Sequence, residues 1–197
     1  LPLLEFALEQ LYERRDGDRL TRDAYTEIGG VRGAIAKQAE ATYTALPSER
    51  HQQLARTLFL RLIEPGATEQ DTTRRRVDRD ELTLADAADT ATLAEVAQRF
   101  TDARLLVSDA DTLEVAHEAL IREWERLGLW MRDAREDLRT QKAVNADTAE
   151  WTRRGRKPDD SRLYRGEVLA EALDWAERNV PSADEAAFIA ASDRYAR

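Results

Sequence analysis

Cysteine is absent from this chain, methionine occurs once and histidine twice. Without cysteine there is no disulfide and no thiolate metal site, so packing and hydrogen bonds must hold the fold. A reducing compartment is compatible with that usage, and the chain is expected to be cytoplasmic. Two isolated histidines among many carboxylates do not make a metal site, so the metal ligands expected are none. Only 8 glycines and 5 prolines interrupt 197 residues, few breakers for a loop-rich or all-β chain. No apolar run approaches the roughly 18–20 residues of a membrane span, and no signal peptide is visible. No membrane partner is therefore expected. Also missing are a GxxxxGK[ST] phosphate loop, an HExxH helix and a GxSxG elbow, so no catalytic residue is assigned.

What remains is charge and helix formers. The chain is 42% hydrophobic and 35% charged, with a net charge of −9. Such a balance suits a mainly α protein and argues against a general nucleic-acid binder, whose footprint is basic. The length allows one large domain or two small ones. The first residues, LPLLEFALEQLY, begin inside a helical pattern with no initiator Met. The chain is thus expected to be a piece cut from a longer protein.

Leu1, Leu4, Leu8 and Leu11 predict an amphipathic helix ending near Arg15, stopped by Asp16-Gly17-Asp18. A short helix over Thr21–Glu27 follows, capped by Thr21 and broken at Gly29-Gly30. Val31, Ile35, Ala39, Tyr43 and Leu46 line a longer helix that closes before Pro47. Ser48 can cap the next, in which Leu54, Leu58, Phe59, Leu62 and Ile63 make a continuous apolar stripe up to Glu64-Pro65-Gly66. Residues 67–71 read as a polar loop, 72–77 as a short strand and 78–82 as one helical turn. A helix at about 90–103 then faces Leu93, Val96 and Phe100 inward.

In Arg104–Trp124 the pattern changes. Leu105 alternates with Val107 and Leu113 with Val115, around Asp109-Ala110-Asp111. This predicts a β-hairpin in a chain that is otherwise helix. His117 follows at once, before a helical period of Leu120, Ile121 and Trp124. A protonatable imidazole where a strand hands over to a helix start is a candidate phosphate contact; the bland alternative is a histidine that caps the junction. From Ser48 onward the order is that of a winged helix. Periodicity by itself gives only a small α+β domain, since several topologies share those elements.

Beyond the hairpin, Leu120, Trp124, Leu127, Met131, Ala134 and Leu138 predict one packed seam, continuing through Val144, Thr148 and Trp151 to Gly155. Leu163, Leu169, Leu173 and Ala176 carry another helix, and Ser182 with Glu185 forms a capping-box pattern for the last. The four tryptophans lie on or near apolar stripes and read as core. His51 reads as exposed in a polar first turn. Arg74-Arg75-Arg76 reads first as a charge-protected edge strand or a solvated loop, and second as a phosphate or acidic-partner surface. The run Arg153–Lys157 reads as cations ending a helix.

Several stretches together carry a family resemblance: LPLLEFALEQLYERR, AYTEIGGVRGAIAKQAEATY, LFLRLIEPG, RRRV, DARLLVSD, VAHEALIREW and WTRRGRKPDDSRLYRGEVLAEALDWAE. In this order they resemble the back half of a STAND-class signalling NTPase, nearest the bacterial novel STAND group that is often fused to WD-repeat propellers. The resemblance implies a helical lid remnant at 1–46, a winged helix at 47–124 and a helical arm at 125–197. In that family Pro2 would fall on the lid proline that packs near adenine, and His117 on the histidine that touches the β-phosphate of bound ADP. Ala116 and Glu118 stand where that motif has Met and Asp. The parent is then expected to be an ATP-hydrolysing switch using ADP or ATP with Mg, with no cofactor held by this segment alone. Expected partners are the AAA-like NTPase core of the same chain and a WD-repeat or other sensor domain downstream.

The function expected is regulatory and non-catalytic: sensing the bound nucleotide and relaying interdomain change. Two alternatives stand beside it, a DNA-binding winged helix of a transcription regulator and a protein-interaction scaffold. Against DNA, the would-be recognition helix offers Arg99 against Glu95 and Asp102, with Arg104 only at its end.

Overall fold

Side-chain caps at Thr21, Ser48 and Ser182 start three of the helices. The computed structural model describes residues 2–66 and 71–197, with Pro2, Leu3 and Phe6 described by their backbone alone. Ten α-helices and two small antiparallel sheets occur among the described residues, so the chain is mainly α, as its composition predicts. No described helix is long and apolar enough to cross a membrane. By internal contacts the chain divides into two compact units, Leu1–Val77 with Leu93–Arg132, and Asp78–Thr92 with Asp133–Arg197.

In the first unit, α1 (Pro2–Glu13) packs along α3 (Gly30–Thr44), with α2 (Arg22–Glu27) between them in sequence. Thr21 caps α2 by accepting the Ala24 N–H at 3.1 Å. Gly29 starts α3 with φ at +77°, a left-handed conformation that costs glycine little. Ser48 caps α4 (Glu49–Arg61), whose apolar face is fully buried at Leu54, Leu58 and Phe59. That helix is shorter than its stripe predicts. Leu62 and Ile63 stay buried, but Ile63–Glu64 leave the helix as β1 and pair antiparallel with β2 (Thr73–Arg74). The strand expected over 72–77 is therefore two: β2, and β3 (Val77–Asp78), which joins a second sheet. Of the polar loop expected at 67–71, residues 67–70 lie outside the described set.

Helix α5 (Ala87–Asp102) starts three residues earlier than expected and buries Leu93, Val96 and Phe100. β4 (Leu106–Ser108) and β5 (Thr112–Val115) form the predicted hairpin, with β5 central in the order β3-β5-β4. One face differs from the expectation. Leu105 and Leu106 are both buried and Val107 is exposed: the strand begins at Leu106, which faces the buried Val115, while Val107 faces Glu114 on the other side.

The seam expected to run unbroken from Leu120 is three helices: α6 (Glu118–Glu123), α7 (Glu125–Asp133) and α8 (Arg135–Arg153). Trp124 leaves helical geometry at φ −84°, ψ 99°. Its buried ring packs edge-on to Phe59 (centroids 5.0 Å) and Trp130 (5.3 Å), and its indole N–H donates to Glu40 at 2.9 Å. Arg126 grips the same carboxylate, its Nε donating to Oε2 at 3.0 Å and its Nη2 to Oε1. That bond from Arg126, with the Trp124 N–H, holds the Glu40 carboxyl below the usual range against partial desolvation. Core packing and one shared carboxylate thus outweigh the helical continuation that the spacing suggests.

The second unit is built on α8, α9 (Gly166–Arg178) and α10 (Ala183–Ala196). Val144, Trp151, Ala172, Trp175, Phe188 and Ile189 make its core. Ala172 and Trp175, not Leu173, face inward from α9; Leu173 is exposed. Ser182 and Glu185 complete the predicted capping box reciprocally. A 3-10 turn at Arg79–Leu82, as expected, precedes Leu84, which bridges to Ser182 while Thr83 accepts the Ala183 N–H at 2.8 Å. The cations expected to end α8 do so: Arg153 and Arg154 pair with Glu150, and Arg156 with Asp184. All four tryptophans are buried, as read from the stripes.

Candidate functional site at His117

The hairpin delivers His117. Leu106 faces Val115, Val107 faces Glu114 and Ser108 faces Leu113, and the Ala116 N–H donates to Leu105 at 3.0 Å. Pairing therefore reaches the residue just before His117. Val115 and Leu120, both fully buried, anchor the chain on either side of it. His117 itself is half-buried and extended (φ −137°, ψ 125°), and its carbonyl accepts the Leu120 N–H at 2.9 Å. It occupies the N-cap position of α6, yet its ring makes no capping bond to that helix. With six residues, α6 contributes less field than a long helix would.

Burial, and then the Arg74 guanidinium nearby, pull the imidazole pKa below its usual value. The ring is thus neutral at pH 7 in the free protein rather than cationic. A consequence for stability follows. The unfolded chain, with an ordinary imidazole pKa of about 6.5, takes up this proton more readily than the folded one. The contribution is absent as a penalty above that pH and grows as pH falls through it toward the lower folded value. His117→Gln removes the titration. The stability of the native chain relative to this variant is therefore expected to fall between about pH 7.5 and pH 5, as read from urea midpoints. A difference that stays flat over that range contradicts a depressed imidazole.

Of the arginine run, Thr73 and Arg74 do form an exposed strand, as first read. The three guanidinium groups go separate ways. Arg76 pairs with Glu114 (3.1 Å), Arg75 donates to the Arg61 carbonyl (3.2 Å), and Arg74 donates to the Val115 carbonyl (3.4 Å), two residues before His117. Strand β2 lies against α6, which is how residues so far apart in sequence come together. The run was visible in sequence; its proximity to His117 was not. Pro2, the other candidate, opens α1, and its side chain lies outside the described residues.

His51 was expected to be exposed, but its side chain is only 17% accessible. Its Nδ1 meets Ser48 Oγ at 2.8 Å and its Nε2 faces Glu95 at 3.4 Å, joining α4 to α5. Arg104, the cation at the end of α5, is bonded to Glu9 at 2.6 Å. Two recesses, of about 550 and 460 Å³, flank Trp124 rather than His117. No three His, Cys, Asp or Glu side chains converge as a metal site among the described residues.

Comparison with curated proteins finds no match, and comparison with solved structures finds none either. A family model does match, that of novel STAND NTPase 1, over residues 1–159. That span takes in α1 to α8, the hairpin and His117, and the chain belongs to this family of STAND NTPases.

Proposed function

We propose that this chain is the regulatory, non-catalytic segment of a STAND-class ATPase, in which His117 senses the bound nucleotide. In this reading residues 1–46 end the helical lid, 47–124 form a winged helix, and 125–197 form a helical arm. Family membership and the order α4, β1, β2, β3, α5, β4, β5 support it. The observation that carries it is the half-buried imidazole held between a central strand and α6, without a capping task, beside an exposed arginine.

His117 would contact the β-phosphate of ADP, and Pro2 would pack near adenine; the AAA-like core of the same chain would supply the P-loop and hold Mg with ATP. A phosphate raises the pKa of a neighbouring imidazole, so His117 takes up a proton as the ligand arrives and its N–H donates with charge assistance. Replacement of ADP by ATP moves that contact and frees the lid and winged helix to rotate. A bacterial, cytoplasmic protein with a downstream WD-repeat or other sensor domain fits this role, and neither nucleic acid nor membrane is a partner in it.

In the full-length protein, His117→Ala is expected to speed ADP release by roughly ten- to a hundred-fold, the equivalent of one charge-assisted hydrogen bond of about 1.5–3 kcal/mol. Little core volume is lost, so the melting temperature should hardly move. Stopped-flow release of a fluorescent ADP and a thermal melt on the same variant test both. Unchanged release with a clearly lowered melting temperature would make His117 a structural residue only.

A further inference from the structure

The larger recess beside Trp124, of about 550 Å³, is lined from α6, from Trp124 and from α7, all within the first unit. Ile121 and Trp124 are buried along it, and Met131, the chain's only methionine, is partly exposed. Methionine adapts to apolar partners of differing shape. Gly128 adds room. It is interior to α7 and not at positive φ, and a Cβ there would make ordinary contact with the Nη1 of Arg132, at 3.7 Å, and with no other side chain among the described residues. Neither backbone nor packing calls for glycine at this position, and glycine weakens a helix. Its missing side chain leaves the recess unfilled beside the Arg132 guanidinium.

Arg122 and Arg132, both exposed, border this recess, and the side chain of neither makes a hydrogen bond or ion pair among the described residues. Carboxylates outnumber lysine and arginine 39 to 30 in the chain, yet none of the described ones takes these two. Glu123 and Glu125 lie on the wall shared with the smaller recess. Glu123 faces Arg32 at 3.8 Å, and Glu125 opens α7, where its charge suits the helix start. The wall that belongs to the larger recess alone is therefore apolar and cationic. We propose that it docks an acidic peptide segment of a protein partner, with one apolar side chain on Ile121 and Met131 and carboxylates on either side meeting Arg122 and Arg132. Charge complementarity carries the choice of occupant, since uncommitted guanidinium groups take carboxylates in a planar fork. Arg122, Glu125 and Arg132 are all exposed, which suits a surface-bound chain segment better than an enclosed small molecule. The proposal does not depend on the role of His117.

The test uses the 197-residue chain and an end-capped peptide with a central leucine flanked by two glutamates on each side. Fluorescence anisotropy gives the affinity, and the Met131 methyl, the single methionine signal in an NMR correlation spectrum, reports occupancy of the recess. That methyl is expected to shift saturably with the peptide. Arg122→Gln and Arg132→Gln should each weaken binding roughly two- to five-fold, as for an exposed ion pair, and together by about the product. Glutamine in place of the glutamates should cost at least as much as the double variant, and alanine in place of the leucine roughly ten-fold. Gly128→Leu should abolish binding and raise the urea midpoint, because it fills the recess and favours the helix. Arg99→Gln, which removes an exposed arginine outside the recess, should leave the affinity unchanged. Equal affinity for the glutamate and glutamine peptides, a methyl that does not move, or a Gly128→Leu chain that binds as the native one does would each overturn the proposal. A loss in Arg99→Gln matching that at Arg122 would reduce the effect to net charge and overturn it too. So would a methyl that moves as far with ADP or inorganic phosphate, which marks a small-anion site, or with protein concentration alone, which seats a second copy there.

Discussion

Trp124→Ala is expected to lower the unfolding free energy by about 3–5 kcal/mol, the range for deleting a buried large aromatic ring. The ring is 2% exposed and touches four others: Phe59, Phe100, Trp130 and Tyr43. Phe59 and Phe100 belong to α4 and α5, so they cannot both collapse into the void without moving a helix. The indole N–H is lost as well, which leaves Glu40 to Arg126 and solvent. Trp124→Phe separates the two parts. It retains most of the ring and removes the bond, for a net loss nearer 1 kcal/mol plus the smaller volume change. Urea unfolding of both variants measures the split. An alanine variant that costs under about 1 kcal/mol would show that the break between α6 and α7 is not held by this ring.

In the second unit the largest effect is expected at Phe188→Ala, again about 3–5 kcal/mol. Phe188 is fully buried on α10, edge-on to Tyr164 at 5.0 Å and to Trp151 at 5.7 Å. The Tyr164 hydroxyl donates to Asp147 at 2.8 Å, and burial and then this bond push its pKa well above the usual range. That ring is therefore tethered and poorly able to fill a hole beside it. Val168→Ala on the exposed side of α9 serves as the comparison, expected within about 0.5 kcal/mol. Near-equal losses at Phe188 and Val168 would deny that this cluster is the core of the unit.

What could be seen beforehand was mostly what forms locally. Thr21, Ser48 and the Ser182–Glu185 pair each satisfy amides within three residues, and each cap stands where the sequence puts it. The position of His117 was legible for the same reason, since a period of two gives way there to a period near four. The break at Trp124 was not legible, because the apolar spacing stays in phase across it and only the distant Glu40 and Phe59 make leaving the helix favourable. β1 was hidden likewise: Leu62 and Ile63 extend the helical stripe of α4 while their backbone turns away to pair with β2. Arg74 beside His117 depends on β2 lying against α6, a tertiary fact that no spacing encodes. Reading the arginine run as a charged edge was correct and incomplete.

The second unit takes its first piece, Asp78–Thr92, from well upstream of the rest. On a ribosome that piece emerges long before the residues it needs. Leu84 finds Ser182, and Thr83 finds Ala183, only when the start of α10 has left the exit tunnel. Asn145 reaches Glu81 somewhat sooner, at 2.7 Å in the finished protein. The residues joining the two pieces, Leu93–Arg132, belong to the first unit and can fold before the second unit closes. The Phe59–Phe100–Trp124 cluster has all its members in hand much earlier. Vectorial synthesis thus orders the two units in time, the second closing last, and a pause or premature stop before Ala183 would leave Thr83 and Leu84 without the backbone partners they have in the finished protein.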